Sequence, residues 1–439
     1  MKILFIVPGS GDAFYCGNCF RDNLQANSLR KAGHDIVVMP LYLPLKDKSF
    51  RADTPLFFPA ISLYVTQKFF KKKSMPKWME RRLNSDRFLD LAASFSGSTS
   101  SEGMEDMTLS MINGDDLVFK KHVSELIEWI RQHERPDVVQ LSSSLVIGIA
   151  KEIKQAMNIP VVCSLQDEEI WINALGKEAE NAWRGIAENI KYIDRFVVSS
   201  EFYKAAVLTR FPLEGQIEVV YPGLDIEKYA SEHYPADPTI GFFYRMNVLD
   251  GLDILAKAFV KVKQSGNIPH LKLRIGGGFS GADKKFLRKV RHILQAYSDD
   301  VIWHDTYSLS EHAAFYKETS AVCVPITFDE GVGLYVCEAF ASGRPVVEPA
   351  TGSFPEIVGN GGVLYPHNDC DCLAAAIIEL FTAQNVWDDC RRNAIQLAKT
   401  RYNGVVQAEK LHKIYNVVRN RLSDFQLPKQ NKLPLLVKI

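Results

Sequence analysis

Glu330 and Glu338, with seven residues between them, mark the stretch of the chain with the most chemical content: Asp329-Glu330-Gly331-Val332-Gly333-Leu334-Tyr335-Val336-Cys337-Glu338-Ala339-Phe340-Ala341-Ser342-Gly343-Arg344-Pro345-Val346-Val347. Carboxylates accept hydrogen bonds, so a close pair suits a hydroxyl-rich ligand such as a sugar or a ribose. Gly331 and Gly333 let the backbone come close to a ligand. A helix is expected to open near Leu334, and the N–H groups at a helix start favour an anion. A diphosphate resting on Gly331, Val332, Gly333 and Leu334 is the natural occupant. Reading the two glutamates only as solvated or capping groups leaves the string around them unexplained.

Other residues point the same way. Arg245 closes an apolar run, and its planar fork can grip phosphate. Five positions on stands Asp250, a carboxylate that repels a diphosphate unless it is turned away or paired; Lys257 and Arg274 are cations that could compensate. Gln166 ends the run Val161–Leu165, where it can orient a hydroxyl but cannot exchange protons near neutral pH. Asp167 and Glu168 follow it, as candidate contacts to sugar or acceptor or as solvated carboxylates. Gly276-Gly277-Gly278-Phe279-Ser280-Gly281 formally fits a dinucleotide fingerprint, but it lies deep in the second half of the chain. A phosphate-facing loop is the preferred reading there, with a tight turn close behind.

Positioning these groups falls to alternating apolar and amphipathic segments, the pattern of parallel sheets covered by helices. Strands are expected at Lys2–Val7, Asp35–Met39, Asp137–Leu141, Pro160–Leu165 and Asp194–Ser199. Helices are expected at about Asn18–Ala32, Lys120–Gln132 and Leu145–Met157. Residues from about 42 to 114 break the rhythm and read as an insertion with irregular or helical structure. A polar segment at Ser231–Pro238 separates a second series, with strands at Thr239–Tyr244, Leu271–Ile275, Val301–His304, Ala321–Pro325 and Pro345–Glu348. Ser308-Leu309-Ser310-Glu311 has the form of a capping box. The expected division is residues 1–230, residues 231–404, and a last helix and tail over 405–439.

Composition narrows the function. Lysine plus arginine equals aspartate plus glutamate, 52 each in 439 residues, so no overall field favours nucleic acid. No apolar run is long enough for a signal peptide core or a membrane span. The eight cysteines are scattered, several within apolar runs, as expected of core residues in a reducing cytoplasm. Cys16-Gly17-Asn18-Cys19 is the one close pair; without a partner pair or histidines at ligand spacing, it predicts free thiols and no metal site.

The string around Glu330 and Glu338 resembles the family 4 retaining glycosyltransferases, in an Glu-Gly-x-Gly-Leu…Glu-Ala-x-Ala-x-Gly-x-Pro-Val pattern. The resemblance extends to Gly352-Ser353-Phe354-Pro355-Glu356-Ile357-Val358, Leu29–Val37 and Ile217–Asp225. Tyr15–Asn23 and Phe57-Phe58…Tyr64 look like one bacterial branch of the family. The resemblance implies the GT-B fold: an α/β protein with two Rossmann-like domains facing a cleft and a C-terminal helix crossing back to the N-terminal domain. It implies transfer of a sugar, expected to be a hexose, from a nucleotide-diphosphate donor to an acceptor that is a saccharide, a lipid-linked molecule or a small molecule.

By the same resemblance Glu330 contacts the transferred sugar, Glu338 the ribose, Arg245 the diphosphate, and Gly17 a loop facing donor phosphates and acceptor. Family members commonly carry a lysine where this chain has Asp250, and many a histidine where it has Gln166. The leaving phosphate takes the acceptor's proton in the front-face mechanism proposed for this class, so neither a cofactor nor a metal is expected. Two alternatives stay open: a catalytically degenerate sugar- or nucleotide-binding protein, and a nucleotide-sugar epimerase of the same fold. Lys68-Phe69-Phe70-Lys71-Lys72-Lys73, with Lys77-Trp78 and Arg81-Arg82, reads first as a solvated helix face and second as a peripheral contact to anionic lipid on the inner face of a membrane.

Overall fold

Strand order explains how residues far apart in the sequence meet. The computed structural model describes residues 1–8, 17–41, 105–114, 117–279, 281–304, 312–366 and 368–425. The first sheet holds β1 (Lys2–Val7), β2 (Asp35–Pro40), β3 (Val138–Leu141), β4 (Val161–Ser164), β5 (Arg195–Val198) and β6 (Ile217–Val219). The second holds β7 (Thr239–Phe243), β8 (Lys272–Gly276), β9 (Val301–Trp303), β10 (Ala321–Val322), β11 (Val346–Pro349) and β12 (Gly362–Tyr365). The orders are β2-β1-β3-β4-β5-β6 and β12-β11-β10-β7-β8-β9, with every neighbouring pair parallel. Helices cover both faces, so strands such as β7 are buried along their whole length and read as continuous apolar runs.

Each sheet reverses its order once, between β1 and β3 in the first and between β7 and β10 in the second. Loops leaving the two strands at such a reversal part to opposite sides and leave a crevice at their carboxyl ends. Arg245 lies just beyond β7, and Glu330 lies in the loop beyond β10. The two residues singled out for their chemistry therefore follow the two strands at the switch point of the second sheet.

The last helix, Gly404–Phe425, packs on the first sheet and not on the second. Its Ala408, Leu411, Ile414, Tyr415 and Val418 share a core with Ile3, Phe5 and Val7 of β1 and Val138 of β3. Tyr415 also donates its hydroxyl to Gln140 Oε1 at 3.2 Å. The returning chain passes the outgoing one closely: Leu224 N–H donates to Tyr402 O at 2.8 Å, and Gly404 N–H to Leu224 O at 3.0 Å. Gly223 permits this approach, since a Cβ there would lie 2.8 Å from Gly404 Cα.

Most expected strands lie within a residue or two of the observed ones. Two strands, β6 and β12, were not expected as such. The helix expected over Leu145–Met157 is divided into a 3-10 turn at Ser144–Val146 and a helix at Gly148–Met157. Within the expected insertion, Glu105–Asn113 is helical and buries Met107, Met111 and Ile112 against the first domain. The basic and aromatic stretch at 68–82, the capping box at 308–311 and Cys16 lie outside the described residues. Cys163, Cys323 and Cys337 are buried and unlinked, as expected of core cysteines.

Candidate functional site

On the second-domain wall of the cleft, the loop after β10 carries Glu330. Glu330 is buried, and its Oε1 accepts hydrogen bonds from Val332 N–H at 3.1 Å and Gly333 N–H at 3.2 Å. These amides belong to the loop just before the helix Leu334–Ala341, whose N-cap is Gly333, so Glu330 pins the loop that leads into the helix. Two of the donors expected to meet a diphosphate are thus already engaged. Gly333 has φ +58°, a conformation that favours glycine.

Glu338 lies four residues into that helix and is fully buried. Its Oε1 accepts from Tyr229 Oη at 2.9 Å and pairs with His312 Nδ1 at 2.9 Å, and Oε2 accepts from Tyr316 Oη at 2.8 Å. Burial, then the Glu338 charge, pushes the Tyr229 hydroxyl well above its ordinary range. Both carboxylate oxygens are satisfied inside the second domain. Because Glu338 has no exposed surface, a ribose could reach it only if the packing around it opened.

Arg245 leaves the end of β7 with a partly exposed side chain. The turn that follows places Asp250 in the interior, with Arg245 Nε 3.9 Å from its Oδ2. Neither cation expected to compensate for Asp250 is at hand: Lys257 pairs with Asp253 at 2.8 Å, and Arg274 lies 3.8 Å from Glu318 and 2.6 Å from His304 Nε2. The glycine-rich turn after β8 is bound to the same region, with Met246 N–H donating to Gly278 O at 2.8 Å. A Cβ on Gly277 would lie 1.8 Å from Tyr244 O, so close backbone packing accounts for that glycine without a ligand.

On the first-domain wall, Gln166 is buried with its amide engaged on both sides. Nε2 donates to Asp22 Oδ1 at 2.9 Å, and Oε1 accepts from Arg21 Nη2 at 3.0 Å. Glu168 is likewise held within its own domain, accepting from Ser143 Oγ, Ser144 N–H, Gln166 N–H and Tyr203 Oη at 2.8 to 3.0 Å. Asp167 between them is different. It adopts φ +58°, and its Oδ1 lies 2.0 Å from where a Cβ on Gly331 would stand. Burial, then the neighbouring Glu330, pushes its carboxyl well above the usual carboxylate range, with Arg21 opposing. Of the expected pair, Asp167 therefore faces the second domain and Glu168 does not. Gly17 opens the helix Gly17–Lys31, which also carries Arg21 and Asp22.

Several residues at the site carried no expectation of their own from sequence. Arg21 Nη2 approaches Asp167 Oδ2 to 4.0 Å, adding a cation from the first domain. Ser200 Oγ donates to Gly331 O at 2.6 Å. Glu356, from the second domain, accepts from Glu201 N–H at 2.8 Å, Phe202 N–H at 2.9 Å and Tyr221 Oη at 2.6 Å. It thus caps the first-domain helix Glu201–Arg210 from across the boundary. Arg21, Ser200 and Glu356 are ordinary residue types in ordinary spacings, and only the folded arrangement brings them together. Among the described residues, no group of three or more His, Cys, Asp or Glu side chains is arranged to hold a metal ion, and no helix is long and apolar enough to cross a membrane.

Comparison with known proteins covers both halves of the chain. Residues 112–228 match the family model described as Glycosyltransferase Family 4, and residues 237–383 match that of Glycosyl transferases group 1. D-inositol 3-phosphate glycosyltransferase of Mycolicibacterium gilvum is 26% identical over 227 residues, 48% of this chain and 50% of that protein. The Mycolicibacterium smegmatis protein of the same name is 29% identical over 225 residues, 47% of this chain and 50% of that one. The chain thus spans about half the length of these curated relatives. Sucrose-phosphate synthase from Thermosynechococcus elongatus superposes with a TM-score of 0.67 at 16% identity, covering 96% of this chain and 100% of that one. Anabaena Alr3699/HepE, in complex with UDP, does so with a TM-score of 0.66 at 15% identity, covering 95% and 100%. The two parallel sheets, their facing loops and the returning helix are the GT-B fold. On either side of its cleft the chain therefore carries glycosyltransferase sequence, a Family 4 segment in the first half and a group 1 segment in the second.

Proposed function

We propose that the protein transfers a sugar, with retention, from a nucleoside-diphosphate sugar to a hydroxyl-bearing acceptor. The observation that carries this reading is the position of Arg245 and Glu330 after the two strands at the switch point of the second sheet, opposite Asp167 and Arg21. Arg245 grips the diphosphate beside the start of the helix at Leu334, with the Gly331 backbone next to it and the Val332 and Gly333 amides reached only when Glu330 turns to the sugar. Glu330 keeps one carboxylate oxygen for a sugar hydroxyl while the other holds the loop amides of Val332 and Gly333. Glu338 holds the ribose face of the site, through Tyr229, Tyr316 and His312. Gly17 opens the helix whose Arg21 and Asp22 border the acceptor side.

Negative charge building on the leaving phosphate is stabilised by Arg245 and the helix start, which are in place beforehand. The leaving phosphate takes the acceptor's proton. Gln166 fixes Arg21 and Asp22 and exchanges no proton, so its contribution is to position them. UDP bound by a solved protein of this fold makes uridine nucleotides the first to try.

A thermal-shift panel of nucleoside diphosphates and their sugars tests the donor site, since a bound ligand raises apparent stability with its concentration. No shift with any of them would sink this reading. Product analysis then separates transfer from isomerisation or from binding alone. Asp250 beside Arg245 favours the second reading, a nucleotide-sugar-binding protein without turnover. For the acceptor, a lipid-linked molecule is served by the cationic and aromatic residues of 68–82; absence of salt-sensitive cosedimentation with anionic vesicles would remove it.

A further inference from the structure

Asp250 is fully buried, and neither of its carboxylate oxygens has a hydrogen-bond partner. Its own N–H donates to Asn247 Oδ1 at 3.0 Å, which fixes the residue in the turn between β7 and the helix Leu252–Ser265. The charged and titratable groups facing it are Arg245, Glu330, Asp283 and Tyr244. Arg245 Nε, at 3.9 Å from Oδ2, is too far for a hydrogen bond. One cation thus stands among three carboxylates. A buried carboxylate whose oxygens make no hydrogen bond is costly, and although the Asn247 side chain favours the charged form, the group responds by taking up a proton. Burial, opposed by Arg245 and reinforced by Glu330, holds the Asp250 acid up at about 7.

We infer that Asp250 is a neutral-acid ligand for the donor's diphosphate, giving its carboxyl O–H to a phosphate oxygen while Arg245 supplies the positive charge. This rests on the donor-site reading above. A protonated carboxyl carries one O–H, and a phosphate oxygen held by Arg245 is an acceptor of matching chemistry. The ionised form would repel the same oxygen. Donor binding therefore draws one proton from solvent whenever Asp250 starts out ionised. A carboxylic acid kept neutral in an apolar site so that it can donate is an established device in other enzymes.

The test is calorimetric titration of UDP-glucose, whose diphosphate is esterified at both ends and does not titrate near neutrality. Wild type, Asp250→Asn and Asp250→Lys are compared at about pH 6 and about pH 8.5, in buffers of different ionisation enthalpy. Wild-type affinity is expected to fall about tenfold per unit above about pH 7, with about one proton taken up per ligand bound at the higher pH. Asp250→Asn keeps a fixed N–H donor and should bind with little pH dependence and no linked proton. Asp250→Lys should bind at least as tightly as wild type at about pH 8.5. Wild-type binding without proton uptake, or an Asp250→Asn affinity that follows pH as wild type does, overturns the inference and leaves the donor site standing. So does wild-type binding that needs Mg²⁺ and is lost in EDTA, because the carboxyl would then be an ionised cation ligand. Should neither wild type nor Asp250→Lys, both shown folded by circular dichroism, bind UDP-glucose, ADP-glucose or GDP-mannose at either pH, the donor-site reading itself fails and takes this inference with it.

Discussion

Ser200 Oγ donates a 2.6 Å hydrogen bond to the carbonyl of Gly331, joining the first domain to the loop that carries Glu330. The same hydroxyl oxygen accepts from Tyr203 N–H at 3.1 Å and so caps the helix Glu201–Arg210. Ser200→Ala loses both interactions. The expected cost is about 1–2 kcal/mol of stability, read by chemical denaturation, together with a rise in KM for the donor. A variant as stable as wild type, with unchanged KM, would show the contact to be idle.

Gly331 admits a side chain only if Asp167 gives way. A Cβ there would stand 2.0 Å from Asp167 Oδ1, so Gly331→Ala has to push the two walls apart or displace Asp167. Turnover should fall about 100-fold or more, because small misplacements at a reacting centre are costly. Binding of the free nucleotide, which the second domain provides, should change far less. Equal losses in both quantities would mean the second domain itself had been disturbed.

Glu330 and Glu338 should separate by the kind of damage their loss causes. Glu338→Ala leaves Tyr229, Tyr316 and His312 without their shared acceptor in a fully buried place, and about 3 kcal/mol or more of stability should go with it. Glu330→Ala removes two hydrogen bonds to loop amides, worth about 1–2 kcal/mol, and should chiefly lower kcat/KM with the complete sugar donor. Denaturation and steady-state kinetics on the same preparations decide it. Similar stability losses in both variants would refute the distinction.

Asp22 and Asp250 make the fold less stable as the pH rises toward neutrality. Both acids are raised from 3.8 to about 7, in each case mainly by burial. Between those values the native state holds protons that the unfolded chain has released, so stability declines across that window and the full cost stands above about 7. Asp22→Asn keeps the acceptor that Gln166 uses and fills the Oδ2 position, which has no hydrogen-bond partner. It should raise Tm at about pH 8 by a few degrees, and by less at about pH 5. An increase that grows on acidification would contradict the assignment.

Where a residue's neighbours in sequence settle its surroundings, the chain was legible. The strands bordering the cleft are buried on both faces and stand out as apolar runs between turn signals. β6 and β12 lack that signature: one is three residues long with the exposed Glu218 at its centre, and the other begins at a glycine pair. Glu330, Gly331 and Arg245 were recognisable from residue type and spacing. Glu338 was recognisable as a motif residue, but its burial beneath two tyrosines and a histidine was not. Those partners arrive from separate segments at 229, 312 and 316. Asp250 was visible as an anomaly, yet the lack of partners for its oxygens is a property of the folded turn. Ser200 gave no signal, and Arg21 and Glu356 stood out only as members of longer family-like segments, because their contacts depend on which loops the sheet order brings face to face.

The last helix has a consequence for how the protein is made. One side of the sheet containing the first strand is completed by Leu411, Ile414 and Tyr415. During synthesis, therefore, the half of the molecule made earlier is the half that cannot finish folding until the helix Gly404–Phe425 has been made. The second half, whose apolar interior takes only Phe20 and Leu24 from the already synthesised first helix, is free to mature earlier. The order of synthesis and the order of completion are opposed. A chain stopped before Gly404 should expose Ile3, Phe5 and Val7 on an open sheet face and aggregate through them, whereas a dye-binding assay showing no exposed apolar surface would contradict this order.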